Sequence, residues 1–368
     1  MSTQSVAAYP PVFAGKSVLL TGGTGSLGKM MIRTLLSGSW GLPRKIIVLS
    51  RDEAKQHFLR LEYQNLLATS SDRGEHALFN NFRRLLEFRI GDVRRFETLA
   101  SAVREAQIIL HAAALKQVPT CEYFPFEAVQ TNVLGAEHLI RAVADFGHEV
   151  ETVVAVSTDK ACKPVNVMGM SKALQERIFI AANVVVPRVR FVCVRYGNVL
   201  ASRGSVIPLF HAQIAAGRSV TVTTPEMTRF LMPLARAVET IGTAVHLAQP
   251  GETIVPIVPS ARIVDVARAL IGSRGLAIEF IGMRPGEKTH EVLISEEEAM
   301  RVRRLDSKYY AISPMLPELQ SAAPEYTPLS SEYSSAQGLL SLEQVDQLLR
   351  AHRLHVGERP LQGGELLG

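Results

Sequence analysis

The chain has 368 residues, enough for one large core and a smaller second lobe. Apolar residues make up 47% and charged residues 20%, as in an ordinary globular enzyme, and no stretch reaches the roughly 18 uninterrupted apolar residues of a membrane helix. The net charge of +5 comes from Arg and Lys scattered among acids, which argues against a nucleic-acid partner and equally suits a small phosphorylated substrate.

The opening MSTQSVAAYPPVFAGK lacks the basic region and apolar core of a secretory signal. Cys121, Cys162 and Cys193 show no metal spacing and fit a reducing compartment. A cytoplasmic location with no membrane partner is therefore expected. The basic runs at 301–304 and 82–89 read as solvated faces.

From Lys16 onward, short apolar runs alternate with amphipathic stretches. The predicted order is strand Ser17–Thr21, helix Leu27–Leu36, strand Ile46–Leu49, helix Glu53–Leu67, strand Leu86–Ile90, helix Arg95–Ala106, strand Ile108–Ala112, helix Ala128–Phe146, strand Thr152–Ser157, helix Val167–Ala182 and strand Phe191–Tyr196. This alternation predicts an α/β fold, a Rossmann-type doubly wound parallel sheet over residues 13–200. Such a sheet binds its ligands outside the carboxyl ends of the strands. After Asn198 the rhythm changes. Helical patterns at Leu231–Ala248 and Ile263–Ile271 among short strands predict a smaller mixed α/β substrate-binding lobe over 201–312, with the chain crossing back to the core. Residues 313–368 are expected to be irregular with one helix, Leu342–Leu349, and a disordered tail.

The first strand-to-helix junction reads SVLLTGGTGSLGKMM. Gly22 permits a tight turn, Gly25 lets the backbone approach a pyrophosphate, and Gly28 permits close helix–strand packing. Thr24, Ser26 and Leu27 belong to the same turn, and the helix amino end offers its unpaired N–H groups to the phosphates. The second strand ends in Ser50–Arg51 rather than a carboxylate. A hydroxyl and a guanidinium suit a 2′-phosphate, so NADP is expected with NAD as the alternative, although Arg51 beside Asp52 is also compatible with the start of a solvated helix. Asp92 and Val93 are placed at the adenine edge, and the small run Ala112, Ala113, Ala114 leaves room for the cofactor backbone. Asn132, Tyr196 and Asn198 complete the expected cofactor contacts.

The fifth strand runs into Ser157, Thr158, Asp159 and Lys160, a hydroxyl, an acid and an amine at the ligand edge. Met168 and Lys172 share one face of the next helix. At this point the motifs GGTGSLG, SRDEAKQ, GDVR, HAAALKQVP, TNVLGAEHLI, STDKACKPVNVMGMSK, RYGNVLASRGSVIP, MTRF, GMRPGEKTHE and EYSS resemble the extended short-chain dehydrogenase/reductases. Within them the chain is similar to the UDP-N-acetylglucosamine 4,6-dehydratases over about Phe13 to Arg350. One position departs: the class has Tyr-x-x-x-Lys, and Met168 stands where the acid/base Tyr belongs. A thioether has no proton to exchange, so Met168 is expected to pack rather than act as base.

The resemblance implies a redox-neutral hydride shuttle on a UDP-sugar. Hydride leaves C4 of the hexose for NADP⁺, the resulting ketone acidifies the C5 hydrogen, the C6 hydroxyl departs, and the hydride returns to C6. Asp159 is assigned as the acid at C6 and Lys160 as the base at C5, with nearby cations expected to lower the pKa of Lys160 while Asp159 opposes them. Lys172 bonds the nicotinamide ribose. The proton of the C4 hydroxyl passes to Thr158, Asp159 or water. Arg203, Arg229 and Arg284 are candidates to grip the diphosphate, Glu287 to accept from the uridine ribose, Asn198 to face the substrate, and Lys116 to touch ribose or sugar. A homo-oligomer is usual for the class. Two alternatives stay open: a relative that inverts C5 or stops at a 5,6-ene, and a non-catalytic NADP-binding sensor.

Overall fold

The computed structural model describes residues 9–69, 72–200, 205–320 and 326–358. Strands β1 (Ser17–Thr21), β2 (Lys45–Ser50), β3 (Leu86–Ile90), β4 (Ile108–His111), β5 (Thr152–Val156) and β6 (Arg190–Val194) form the heart of one sheet. They alternate with helices α1 (Ser26–Ser37), α2 (Glu53–Thr69), α3 (Arg73–Leu85), α4 (Phe96–Val103), α5 (Val118–Tyr123), α6 (Pro125–Ala128), α7 (Gly135–Phe146) and α8 (Val167–Val185). The spatial order β3-β2-β1-β4-β5-β6, all parallel, is that of a doubly wound dinucleotide-binding sheet. Its strand order reverses between β1 and β4, so the crevice for a ligand opens beside the glycine turn.

The apolar character of β1, β2, β4, β5 and β6 follows from burial on both faces. Leu19, Ile47, Ile109, Val153 and Phe191 pack with α4, α7 and α8 on one face, while Val18, Val48, Leu110, Val154 and Val192 face the core shared with α1, α3 and the later helices. Each such side chain contributes about 1.5–3 kcal/mol by leaving water.

The second half adds α9 (Val206–Ala215), β7 (Val220–Val222), β8 (Thr228–Phe230), α10 (Leu234–Leu247), β9 (Thr253–Pro256), β10 (Ser260–Arg262), α11 (Ile263–Ile271), β11 (Ile278–Phe280), β12 (Val292–Ile294), α12 (Glu296–Ala299), β13 (Val302–Arg304), β14 (Tyr309–Ile312), β15 (Tyr333–Ser334) and α13 (Leu342–Ala351). β9 joins the large sheet in parallel beside β6, and β14 and β13 extend it antiparallel to nine strands. The other strands make three two-stranded pairs, and α9, α11 and α13 enclose a separate apolar cluster with Phe210, Leu270 and Leu349 at its centre.

Three sequence expectations change. The 82–89 run is not a solvated face: Phe82 and Leu85 end α3 inside the core, and the Phe82 ring stacks on Tyr63 at 4.7 Å. In the 301–304 run Val302–Arg304 form strand β13, where Arg303 pairs with buried Glu252 at 3.0 Å, and Arg301 just before it donates to the Ser313 carbonyl. The long helix expected over 128–146 starts as a π-turn, Val129–Leu134, before α7. Such irregular turns often mark functional positions, and this one carries Asn132. Among the described residues, no helix is long and apolar enough to cross a membrane.

Candidate active site

The glycine turn is sterically committed. Gly22 has φ +72°, and a Cβ there would lie 2.7 Å from Ala113 N. Any side chain at Gly28 would meet Gly23 Cα at 2.4 Å. Helix α1 starts after Gly25 with no side-chain cap and no acid in its first turn, an amino end whose dipole suits a phosphate. Thr24 is buried in the turn, and Ser26 and Leu27 open the helix. The close approach of Gly22 to Ala112 and Ala113 leaves an uncluttered edge between β1 and β4. These features fit a dinucleotide.

At the end of β2, the Ser50 hydroxyl turns inward and accepts from Gln56 Nε2 at 3.1 Å. The Arg51 side chain is 57% exposed, and its Nη1 lies 3.9 Å from Asp92 Oδ2. Asp92 is engaged by a residue the sequence reasoning missed: Arg94 donates to Oδ2 from Nε at 2.9 Å and from Nη2 at 2.8 Å. Burial works to raise the Asp92 carboxyl, but the Arg94 bonds outweigh it and hold it below its ordinary value. The corner thus presents two guanidiniums around one carboxylate. Val93 lies buried against Gly135 at the start of α7.

The centre of the site lies where β4 and β5 end. Thr158 Oγ1 donates to Asp159 Oδ1 at 2.8 Å, and Lys160 Nζ donates to the same oxygen at 3.1 Å. Asp159 is 1% exposed, and its Oδ2 has no hydrogen-bond partner among the described residues. Burial raises the Asp159 pKa, Lys160 opposes that, and Glu291 adds to it; the net direction is upward. Gly197 gives that carboxyl room, because a Cβ there would lie 3.2 Å from Oδ2 and 2.9 Å from Phe230 Cβ.

The expectation that cations would lower Lys160 is overturned. Burial does lower it, but the carboxylates of Asp159 and Glu291 outweigh both burial and Arg229, so its pKa rises. The effect of Asp159 is the larger of the two, and the second, Glu291, lies inside GEKTHE, where the sequence singles out only Glu287. Glu291 Oε1 sits 3.1 Å from Lys160 Nζ.

Lys172 Nζ donates to the Val156 carbonyl at 2.6 Å and to Gln175 Oε1. Burial lowers its pKa to about 8, only partly offset by Glu176. The linkage has a definite sign. The unfolded chain keeps this proton up to about 10.5 while the folded chain releases it near 8, so stability rises with pH between those values. Denaturant titration of the cofactor-free protein at about pH 8 and about pH 10 is expected to show wild type gaining about 2 kcal/mol relative to Lys172→Met.

His111, at the end of β4, shares a 2.9 Å hydrogen bond with Thr21 Oγ1 and is fully buried, which pushes its pKa down to about 3, helped by Lys172. It is a neutral floor under this edge. Met168 packs with Cys121 and Ala128, so the position that lacks a phenol is part of a small apolar cluster.

Several expected contacts are already engaged. Both N–H groups of Asn132 donate within the protein, to the Leu115 carbonyl at 2.9 Å and Ser171 Oγ at 2.9 Å, while its Oδ1 accepts from Leu115 N at 2.8 Å. It therefore fixes the loop after β4 instead of offering a free donor. Arg229 is buried and donates to the carbonyls of Thr228 at 2.7 Å and Thr289 at 3.2 Å, beside Glu291 at 3.8 Å, so it is not an open diphosphate clamp. Tyr196 is buried, which raises its phenol far above the ordinary value. Asn198 Oδ1 and Glu287 Oε2 are buried with no hydrogen-bond partner among the described residues, leaving acceptor capacity there. Arg284 and Lys116 are exposed. Arg203 lies outside the described residues.

A cavity of about 690 Å³ lined by Arg44, Lys45, Glu87 and Glu105 among others opens at the opposite ends of the strands. There Lys45 lies 2.6 Å from both Glu87 and Glu105, and none of the candidate site groups above lines it.

The fold and this site define an enzyme of the short-chain dehydrogenase/reductase kind, a kind that includes nucleotide-sugar dehydratases and epimerases. The chain belongs to the polysaccharide biosynthesis protein family, which matches residues 18–313. It is similar to a protein named UDP-glucose 4-epimerase from Rickettsia prowazekii, 42% identical over 81% of this chain and 83% of that one. It is also similar to a Campylobacter jejuni protein named UDP-N-acetylglucosamine 4,6-dehydratase (inverting), 39% identical over 83% of this chain and 85% of the relative. Among solved structures, Pen from Bacillus thuringiensis superposes with a TM-score of 0.80 at 32% identity, covering 93% of this chain and 99% of that one.

Proposed function

We propose that the enzyme converts UDP-N-acetylglucosamine to a UDP-4-keto-6-deoxy-N-acetylhexosamine, with NADP as its cofactor. The observation that carries this reading is the hydrogen-bonded trio Thr158–Asp159–Lys160 at the carboxyl end of β5, beside Lys172 and the glycine turn. Similarity to a relative named for this dehydration supports the substrate and the reaction.

A bound nicotinamide supplies reversible hydride storage at this edge. The protein's own task is proton handling. Transfer of one proton along the 3.1 Å bond from Lys160 to Asp159 turns an ammonium–carboxylate pair into an amine and a carboxylic acid. The amine is then competent to take the C5 proton, and the acid to protonate the departing C6 hydroxyl. Burial penalises the charged form of Asp159 and so favours that transfer, while the carboxylates of Asp159 and Glu291 beside Lys160 hold its proton and oppose it. Thr158 fixes the carboxyl and is the group assigned to relay the C4 hydroxyl proton. Lys172 orients the nicotinamide ribose, and Met168 contributes packing only. Asn198 and Glu287 offer acceptors to the sugar and uridine, and Arg284 and Lys116 offer cations.

Retention of Asp159, Lys160 and Lys172 together disfavours a non-catalytic sensor, which has no use for them. The second reading is inversion at C5, favoured by the printed name of the Campylobacter relative. Incubation with UDP-N-acetylglucosamine and NADP⁺, followed by NMR of the product, separates these readings. A 4-keto-6-deoxy sugar forming without added reductant supports the proposal, its C5 configuration chooses between the two forms, and a 4-epimer or unchanged sugar overturns it.

The cofactor preference has its own test. The exposed Arg51 fork suits a 2′-phosphate, and a charge-assisted contact contributes about 1.5–3 kcal/mol. Arg51→Ala is expected to weaken NADP⁺ binding by about 10- to 100-fold in calorimetry while leaving NAD⁺ binding unchanged.

A further inference from the structure

Glu291, immediately before β12, has its main chain fastened at both ends to one buried residue. Its N–H donates to Ser335 Oγ at 2.9 Å, and its carbonyl accepts from Ser335 N at 2.8 Å. Ser335 is fully buried and is tied in turn to Thr228 Oγ1 at 2.7 Å. The Glu291 side chain is 3% exposed, with Oε1 3.1 Å from Lys160 Nζ and 3.8 Å from Arg229 Nε. Its Oε2 is buried with no hydrogen-bond partner among the described residues. A carboxylate this buried and this firmly held, with Lys160 between it and Asp159, is more than a surface ion pair.

We propose that Glu291 is a positioning residue for the reaction: it anchors the Lys160 amine beside Asp159 from the second-lobe side and governs how readily that pair shares its proton. This rests on the reading of Asp159 as acid and Lys160 as base. The charged and titratable groups around the pair are Glu291 at β12, Arg229 on β8, and Lys288 and His290 on the segment leading into Glu291. Glu291 and Arg229 act on Lys160 with opposite sign: the carboxylate favours its charged form and the guanidinium disfavours it. Glu291 also disfavours charge on Asp159. Because the pair titrates as a unit, loss of the Glu291 charge moves both of its apparent pKa values downward. Loss of the Arg229 charge moves the Lys160 step upward.

The experiment uses the NADP-loaded enzyme with UDP-N-acetylglucosamine in D₂O, following product formation and deuterium entry at sugar C5 across pH. Glu291→Gln is expected to shift both limbs of the bell-shaped profile to lower pH by roughly one unit or more. Glu291→Asp should return them toward the wild-type positions, and Arg229→Gln should move the Lys160 limb to higher pH. A Glu291→Gln profile that only loses height, with its limbs in place, overturns the proposal, as does a downward shift in Arg229→Gln. If Glu291→Gln fails to fold, the sign of the Arg229→Gln shift decides. Wild-type turnover in Asp159→Asn or Lys160→Met would overturn the acid and base assignment itself, an outcome distinct from limbs that stay in place.

Discussion

Asp159→Asn is expected to abolish formation of the 4-keto-6-deoxy sugar while NADP remains bound. The amide is nearly the same size as the carboxyl, so the site between Thr158 and Gly197 still closes around it. It can neither receive the Lys160 proton nor deliver one to the C6 hydroxyl. Loss of a positioned acid costs about 10²- to 10⁴-fold, and here the coupled base is impaired with it, so the upper end is expected. Product yield by NMR and cofactor affinity by calorimetry together check this. Loss of both together would point to misfolding instead of lost chemistry.

Arg195→Met is expected to cause the largest loss of stability. Arg195, immediately after β6, is 3% exposed and bonds Glu176 of α8 at 2.6 and 3.0 Å, Glu298 of α12 at 2.7 and 2.9 Å, and the Leu293 carbonyl of β12 at 2.9 Å. It welds the β5–β6 region to the segment that carries Glu291. Removing it leaves two buried carboxylates uncompensated, a loss of about 3–5 kcal/mol by denaturant titration. The loss should shrink toward acid pH as Glu298, whose charged form Arg195 favours, takes up a proton. Adding Glu176→Gln and Glu298→Gln to Arg195→Met should recover much of it, because no buried charge then stands alone. A similar loss in the triple variant would show that packing rather than charge is responsible.

What the sequence made legible follows from how local each feature is. The glycine turn reads directly, because Gly22 and Gly28 are required by backbone contacts within one strand–turn–helix unit. Strands β1, β2, β4, β5 and β6 read from their apolar runs, since a strand buried on both faces has few polar positions to blur the pattern, whereas the edge strand β3 is only half-buried and alternates apolar residues with Glu87 and Arg89. Helix α3 did not read, because its arginines at 83 and 84 hide the apolar stripe of Leu78, Phe79, Phe82 and Leu85. Arg303 misled for a similar reason: its partner Glu252 lies on another part of the chain.

The site divides in the same way. Thr158, Asp159 and Lys160 are neighbours in sequence and at a strand end, so their meeting was foreseeable. Glu291 reaches Lys160 only because β12 pairs with β15 and carries it over the end of the sheet, a contact with no local signature. The same limit explains Arg229. As a lone arginine it suggested a phosphate ligand, whereas the fold surrounds it with two carbonyls and a carboxylate.

The central claim is that one hydrogen moves within the sugar from C4 to C6. Incubating the enzyme with UDP-N-acetylglucosamine deuterated at C4, in ordinary water, tests it most directly. Deuterium appearing in the C6 methyl group, with a solvent-derived hydrogen at C5, is the predicted result. Deuterium that stays at C4, or is lost to solvent, would contradict it.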